Sequence, residues 1–257
     1  MLYYLWVIIL KIIKYKKGTK GKYKILFDND KEIVLYEDVI LKYNLLLKKE
    51  IDEELLIEVD KYNQECDVYY TALNSITNRF KSVYELKQSL IKKEYPIDLI
   101  EKAIDKLLKQ GYLNDQLFAR SYINNQMITT NKGPYKISKE LADKKISSEI
   151  IQEEILLFTE EDQITKIKKL IERGIKTNRN RGGVVLKQKI YNDLKLAGYE
   201  ISIINSIISE YTFENNKDIA KKEYEKLYRK YSKKYTGYEL EMKIKEKMYQ
   251  KGLIYDE

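Results

Sequence analysis

The chain has 257 residues, 44% of them hydrophobic and 34% charged, and its 48 Lys and Arg against 40 Asp and Glu leave a formal charge of +8. That length holds one large domain or two ordinary ones with a sizeable core, while 10 Gly and 2 Pro are too few turn formers for an all-β sandwich or barrel. With no His and a single Cys, Cys66, the sequence excludes Ser-His-Asp and Cys-His nucleophile systems and any zinc site built on His or several Cys.

The N-terminus opens with nine apolar or aromatic residues, Leu2 to Leu10, followed by Lys11 and Lys14. The run is about half the length of a membrane span, and its lysines follow it rather than precede it, unlike a signal peptide. It is read as a buried strand, its first six or so residues as an upstream start that extends the chain. Tyr23–Phe27 and Glu32–Tyr36 flank Asp28-Asn29-Asp30-Lys31 and predict a hairpin. Asp28 and Asp30 are turn residues in this reading, because the Gly and distal Glu of a calcium loop are missing. A helix is expected near Glu37–Tyr43, and another after the N-cap Asp52, with Glu53 and Glu54 in its first turn. Cys66 is expected to be an inert thiol, and a lone Cys suits a reducing, cytoplasmic compartment. Residues 1–66 carry 12 Lys and 12 Asp and Glu, so the whole charge excess lies in 67–257. These two segments are taken as a small α+β N-terminal domain, with β-hairpin strands and a helix, and a helical domain.

From residue 67 the apolar spacing becomes helical and repeats. Leu86, Leu90, Tyr95 and Ile100 set a pattern that recurs at Ile137, Leu141, Ile146 and Ile151 and at Ile190, Leu194, Tyr199 and Ile204, with a truncated copy at Ile244, Met248 and Leu253. The starts are 51, 53 and 54 residues apart, a period long enough for three short helices. Repeats of about 80–131, 132–182 and 183–236 with a partial 237–257 are expected, stacked into an elongated, curved, mainly α array. Ser82 and Glu85 spell a capping box for the first copy, and Gly133-Pro134 opens the second. The break after each first helix falls at Glu94, Lys145, Gly198 and Gly252, so only the last two copies have the favourable left-handed residue. Third helices are expected after Asn114-Asp115, Glu161-Asp162 and Asn216–Asp218.

The chemistry that remains is electrostatic. Nine basic residues and one acid lie between Ile164 and Tyr191, and eight basic and three acidic between Lys217 and Lys234. Three of only six arginines, Arg173, Arg179 and Arg181, fall within nine residues, and Arg179-Asn180-Arg181-Gly182-Gly183 reads as a flexible cationic turn with exposed N–H groups for phosphates or carboxylates. The candidate contact surface is Lys169, Arg173, Arg179, Arg181 and Lys187, continued by Lys132 and Lys136 and then by Arg229, Lys233 and Lys234. No catalytic or metal-binding residue and no cofactor is assigned. The ten glycines spell neither GxxxxGK[ST] nor GxGxxG, so nucleotide hydrolysis is not expected.

In order along the chain, Thr71-Ala72-Leu73, Ser82–Leu86, Gly111-Tyr112-Leu113-Asn114-Asp115 with Phe118-Ala119-Arg120, and Lys132-Gly133-Pro134 with Glu140-Leu141 resemble the RecX family of recombination regulators. Lys93-Glu94 and Lys144-Lys145 depart from the Lys-Gly with which that family often ends a first repeat helix. The resemblance implies tandem three-helix repeats and a non-enzymatic, cytoplasmic regulator of homologous recombination and DNA repair. Its partner would be the RecA filament on single-stranded DNA, whose ATPase and strand exchange it would modulate, chiefly by inhibition. A monomer away from membranes is the default. Two other classes fit the residues alone: a nucleic-acid-binding helical array with no recombinase partner, and a protein-only helical scaffold.

Overall fold

A computed structural model describes residues 9–19 and 21–254, which divide into two compact units on either side of the step from Phe118 to Ala119. Among the described residues it is mainly helical, with four strands and twelve α-helices, and no helix is long and apolar enough to cross a membrane.

In the first unit, β1 (Ile9–Lys17), β2 (Lys22–Phe27), β3 (Glu32–Tyr36) and β4 (Glu50–Asp52) form an antiparallel sheet in the order β3-β2-β1-β4. Residues 2–8 of the expected N-terminal strand lie outside the described residues, and β1 continues it with Leu10 buried and Ile9 and Ile13 exposed. The β2–β3 hairpin pairs Ile25 with Ile33, and its turn is held by Asn29, whose Oδ1 accepts the Lys31 N–H, and by Asp28, whose Oδ1 accepts the Lys11 N–H. Helix α1 (Glu37–Lys42) and helix α2 (Glu53–Asn78) cover the sheet, burying Ile25, Phe27, Val39, Ile40, Ile51 and Val59 in one cluster. As expected, Asp52 caps α2, its side chain accepting the Leu55 N–H at 2.8 Å.

Helix α2 runs unbroken past residue 66, so the step in charge at 66/67 falls inside a helix. Composition changes there, but helix periodicity does not. Just beyond, Asp67 accepts hydrogen bonds from the hydroxyls of Tyr36 and Tyr95, each at 2.7 Å, with the Lys22 ammonium 3.5 Å away. Burial alone would push this carboxyl up, but those three donors hold it below the usual carboxylate range. Neighbouring Cys66 is buried, and burial pushes its thiol up to about 11, which keeps it protonated. Helices α3 (Val83–Ile91) and α4 (Ile97–Lys109) pack on the C-terminal half of α2, enclosing Val68, Ala72, Leu86, Leu90, Ile100 and Leu107. The expected capping box at Ser82 and Glu85 is present.

Helix α5 (Asp115–Thr129) begins at the end of the first unit. In the second unit follow α6 (Pro134–Asp143), α7 (Ser148–Glu154), α8 (Glu160–Thr177), α9 (Gly183–Ala197), α10 (Ile201–Ser209), α11 (Lys217–Tyr231) and α12 (Gly237–Gln250). The repeating apolar positions are the core: fourteen of the fifteen are buried, and Tyr95 is half-buried. The expected third helices are present, but each begins within or ahead of its polar cluster rather than after it, α5 at Asp115, α11 at Lys217 and α8 at Glu160, where Thr159 forms a capping box with Asp162. Helix α2 packs with α3 and α4, α8 with α9 and α10, and α11 with α12.

Successive units in 119–257 are joined by glycine pairs. The Gly133 N–H donates to the Ala197 carbonyl at 2.7 Å and the Tyr135 N–H to the Gly198 carbonyl at 3.1 Å, so the start of α6 meets the end of α9. One repeat later the Gly182 N–H donates to the Lys251 carbonyl at 2.8 Å, and the start of α9 meets the end of α12. A Cβ on Gly133 would lie 2.5 Å from the Gly198 carbonyl, and one on Gly182 would lie closer still to that of Gly252.

The break after each first helix is left-handed in all four copies, φ being +62° at Glu94, +61° at Lys145, +90° at Gly198 and +64° at Gly252. Glu94 and Lys145 therefore adopt the glycine conformation despite their side chains, so the first two copies make the same left-handed turn without the favourable residue. Both are exposed, and an L residue there costs about 1–2 kcal/mol, partly offset by the greater entropy of an unfolded glycine. Glu94→Gly and Lys145→Gly are each expected to stabilise the protein by about 0.5–1 kcal/mol. Thermal denaturation should show Tm rising by about 1–4 °C in each variant. An unchanged or lower Tm would mean that the replaced side chains make compensating contacts.

Candidate nucleic-acid interface

Helix α8 is amphipathic, with Ile167 and Ile171 buried and its basic residues on the remaining face. Those cations are not equivalent. The Lys166 ammonium is half-buried and donates to the carbonyls of Met127 and Thr130, closing the C-terminal turn of α5, and burial lowers its pKa. Lys168 is paired with Glu210 at 2.9 Å. Lys169 and Arg173, one turn apart and exposed, have no ion-pair partner among the described residues.

The turn from α8 to α9 is tied down rather than flexible. Asn178 accepts the N–H groups of Asn180 and Arg181 on its Oδ1, at 3.4 and 3.2 Å, and donates from Nδ2 to the Arg181 carbonyl at 2.7 Å. Gly183 gives its N–H to Asn215 Oδ1 at 2.8 Å, and Gly182 gives its own to Lys251. The N–H groups of Asn180, Arg181, Gly182 and Gly183 are thus consumed within the protein, which leaves chiefly the guanidinium groups as the means of binding an anion. Arg179 Nη1 donates to the Lys176 and Asn178 carbonyls, and Arg181 Nη1 to Asn180 Oδ1, so neither meets a carboxylate.

Arg173, Arg179 and Arg181 line one cavity of about 510 Å³ between α8 and α9. Three of the expected contact residues are therefore brought together. Lys189 and Asp193 also line it and are paired with each other. Asn131 lines its edge. Lys187, also on α9, lies over the Phe213 ring, 6.0 Å from its centre, and lines no part of the cavity.

Lys132 and Lys136 sit at the start of α6, around Gly133. Lys132 is bound to Glu140 at 2.7 Å, and Tyr122 donates to the same carboxylate at 2.7 Å. Burial would raise the Glu140 carboxyl, but Lys132, Tyr122 and the nearby Lys136 charge hold it below its usual value. Lys132 is thus engaged inside the protein, whereas Lys136 is exposed. Arg229, Lys233 and Lys234 are exposed at the end of α11 and line no part of the arginine cavity. Asn131 and Asn178 carry no charge and are not part of the basic patch read from the sequence, whereas Lys189 belongs to it. The Asn-Arg-Asn-Arg run was the one signal for Asn178, and nothing local marks Asn131, which lies more than forty residues before the turn.

Two family models match the chain, described as RecX, first three-helix domain, over residues 69–107, and RecX, second three-helix domain, over 114–154. Their bounds fall on the C-terminal part of α2 through α4 and on α5–α7. The regulatory protein RecX of Bacillus subtilis is 31% identical over 96% of this chain and 95% of its own length. That of Streptococcus sanguinis is 30% identical over 95% of each. Among solved structures, a crystal structure of regulatory protein RecX is similar with TM-score 0.66 at 26% identity, covering 77% of this chain and 98% of the other. A crystal structure of RecX from Lactobacillus salivarius is similar with TM-score 0.55 at 28% identity, covering 58% and 97%.

Proposed function

The chain belongs to the RecX family of regulatory proteins, and from that premise we propose that it binds the RecA filament on single-stranded DNA and restrains its ATPase and strand exchange. It acts by binding, without turnover of its own. The observation that carries this reading is the set of three guanidinium groups around one cavity, none of them ion-paired with a carboxylate among the described residues. Arginine in that state is suited to phosphate oxygens, where its planar fork makes paired, charge-assisted hydrogen bonds. Lys169, Lys136, Lys187, Arg229, Lys233 and Lys234 extend the positive surface, and several weak contacts to a repeating partner add through effective concentration.

The test is the steady-state ATPase of preformed RecA filaments titrated with this protein at moderate salt, beside its binding to bare DNA. Suppression at ratios too low to coat the DNA is the expected result. Loss of ATPase only once free DNA is saturated would sink the filament reading in favour of competition for the strand. That outcome would come with a steep salt slope, on the order of −3 to −5 for about five phosphate contacts. Salt-insensitive activity with no DNA binding would instead indicate a protein-only scaffold.

A further inference from the structure

The cavity beside the three arginines is larger than an isolated anion requires, at about 510 Å³. Its interior is also divided in character. One wall is apolar, built from Leu170 on α8 and Leu186, Ile190, Leu194 and Ala197 on α9. Gly174 keeps α8 close to that wall, since a Cβ there would lie 2.8 Å from Ile190 Cδ1. The side chains of Arg173, Arg179 and Arg181 line the same cavity. Asn131 brings a side-chain amide with no hydrogen-bond partner among the described residues, whereas the Asn178 amide is spent within its own turn.

These three features divide the work of recognising a nucleoside phosphate. Guanidinium groups take phosphate oxygens, an apolar surface takes the face of a ring out of water, and an amide offers both a donor and an acceptor to a base edge. An acidic side chain or inorganic phosphate would use the arginines and leave the apolar wall uncovered. Charge favours the same ligand. Asp193 is the one carboxylate among the lining residues, and Lys189 already neutralises it, so the arginine charges are unopposed.

We propose that this cavity binds one nucleoside phosphate, its phosphate on Arg173 and Arg181 and its ring against Leu170 and Ala197, with Asn131 at the base edge. The proposal rests on the reading above that these arginines meet a phosphate-bearing partner, and it can fail while that reading stands. The ligand can be a free nucleotide or one nucleotide of a strand, the recognising chemistry being shared.

The experiment is an NMR titration of the ¹⁵N-labelled full chain, read at the Gly174 backbone amide and the Asn131 side-chain amide. Thymidine monophosphate, thymidine, inorganic phosphate and a short 5′-phosphorylated oligothymidylate are the probes. The monophosphate should bind at least tenfold more tightly than either thymidine or phosphate. Ala197→Leu, which fills the apolar wall, and Asn131→Ala, at an exposed edge, should each cut that affinity several-fold while leaving phosphate binding unchanged. Arg173→Gln should weaken both. Tighter binding by the oligonucleotide than by the monophosphate would assign the site to a strand, and the reverse order to a free nucleotide. Equal affinity for phosphate and monophosphate, indifference to both Ala197→Leu and Asn131→Ala, or no shift at all would overturn the proposal. Filament ATPase measured with the same wild-type protein separates the two readings, since suppression without monophosphate binding removes this site alone.

Discussion

Gly182→Ala is expected to destabilise residues 119–257 by about 3 kcal/mol or more, at or beyond the upper end of overpacking penalties. The backbone of Gly182 is ordinary, with φ −74° and ψ 165°, so the penalty comes from contact rather than conformation. The added Cβ would overlap the Gly252 carbonyl and lie 2.6 Å from Asn215 Oδ1. A backbone carbonyl cannot swing aside as a side chain does, so α9 and α12 must separate, breaking the Gly182 to Lys251 hydrogen bond. Gly237→Ala is the control: φ there is +53° with nothing within 4 Å, so the cost is the left-handed strain alone, about 1 kcal/mol. Followed by circular dichroism on heating, Gly182→Ala should lower Tm by about 6–12 °C, well beyond the control. Equal shifts in the two variants would mean that the joint between α9 and α12 yields freely.

Replacing Arg173, Arg179 and Arg181 together by Gln should weaken binding to single-stranded DNA, and to the filament, by about 30-fold. Three contacts at about 0.7 kcal/mol each, within the range of solvent-screened ion pairs, compound to that factor. The logarithmic salt dependence should become shallower by about 2, since each phosphate neutralised on a single strand contributes about 0.7 to the slope. Fluorescence anisotropy of a labelled oligonucleotide at several salt concentrations measures both quantities. Gln keeps a hydrogen-bonding side chain at Arg179, which caps the end of α8 through the Lys176 and Asn178 carbonyls. An unchanged circular dichroism melt therefore has to accompany the result. If the folded triple variant binds with wild-type affinity and slope, the cavity face is not the contact surface.

The helices of the repeats were legible because their core positions are buried at a constant spacing, and burial of apolar side chains is what periodicity records. Ser82, Asp52 and Asn216 were legible as caps because a cap is a local interaction, closed within three residues. Interactions closed beyond a single helical turn were not. That Lys132 is spent on Glu140 while Arg173 is not depends on distances in space, and a count of charges treats the two alike. Lys166 belonged to the strongest basic run in the sequence, yet its ammonium serves the end of a helix nearly forty residues earlier. The left-handed turns at Glu94 and Lys145 escaped for a different reason. Their geometry is imposed by the packing of the helices on either side, which overrides the local preference for glycine. Where the charge step at 66/67 suggested a boundary, the continuous apolar face of α2 carried more weight.

The glycine joints also fix where the helices can act electrically. Peptide dipoles give each helix a partial positive pole at its amide end and a partial negative pole at its carbonyl end. At the meeting of α12 with α9, and again of α9 with α6, a carbonyl pole faces an amide pole and the two half-charges cancel. Across α6, α9 and α12 the uncompensated poles are the carbonyl end of α6, beside Lys144 and Lys145, and the amide end of α12, just after Lys233 and Lys234. The inner helix ends are close to neutral. Attraction for a polyanion in the middle of the unit therefore falls to side chains, and the clustering of arginines beside the α9 joint supplies there the positive charge that the backbone no longer provides.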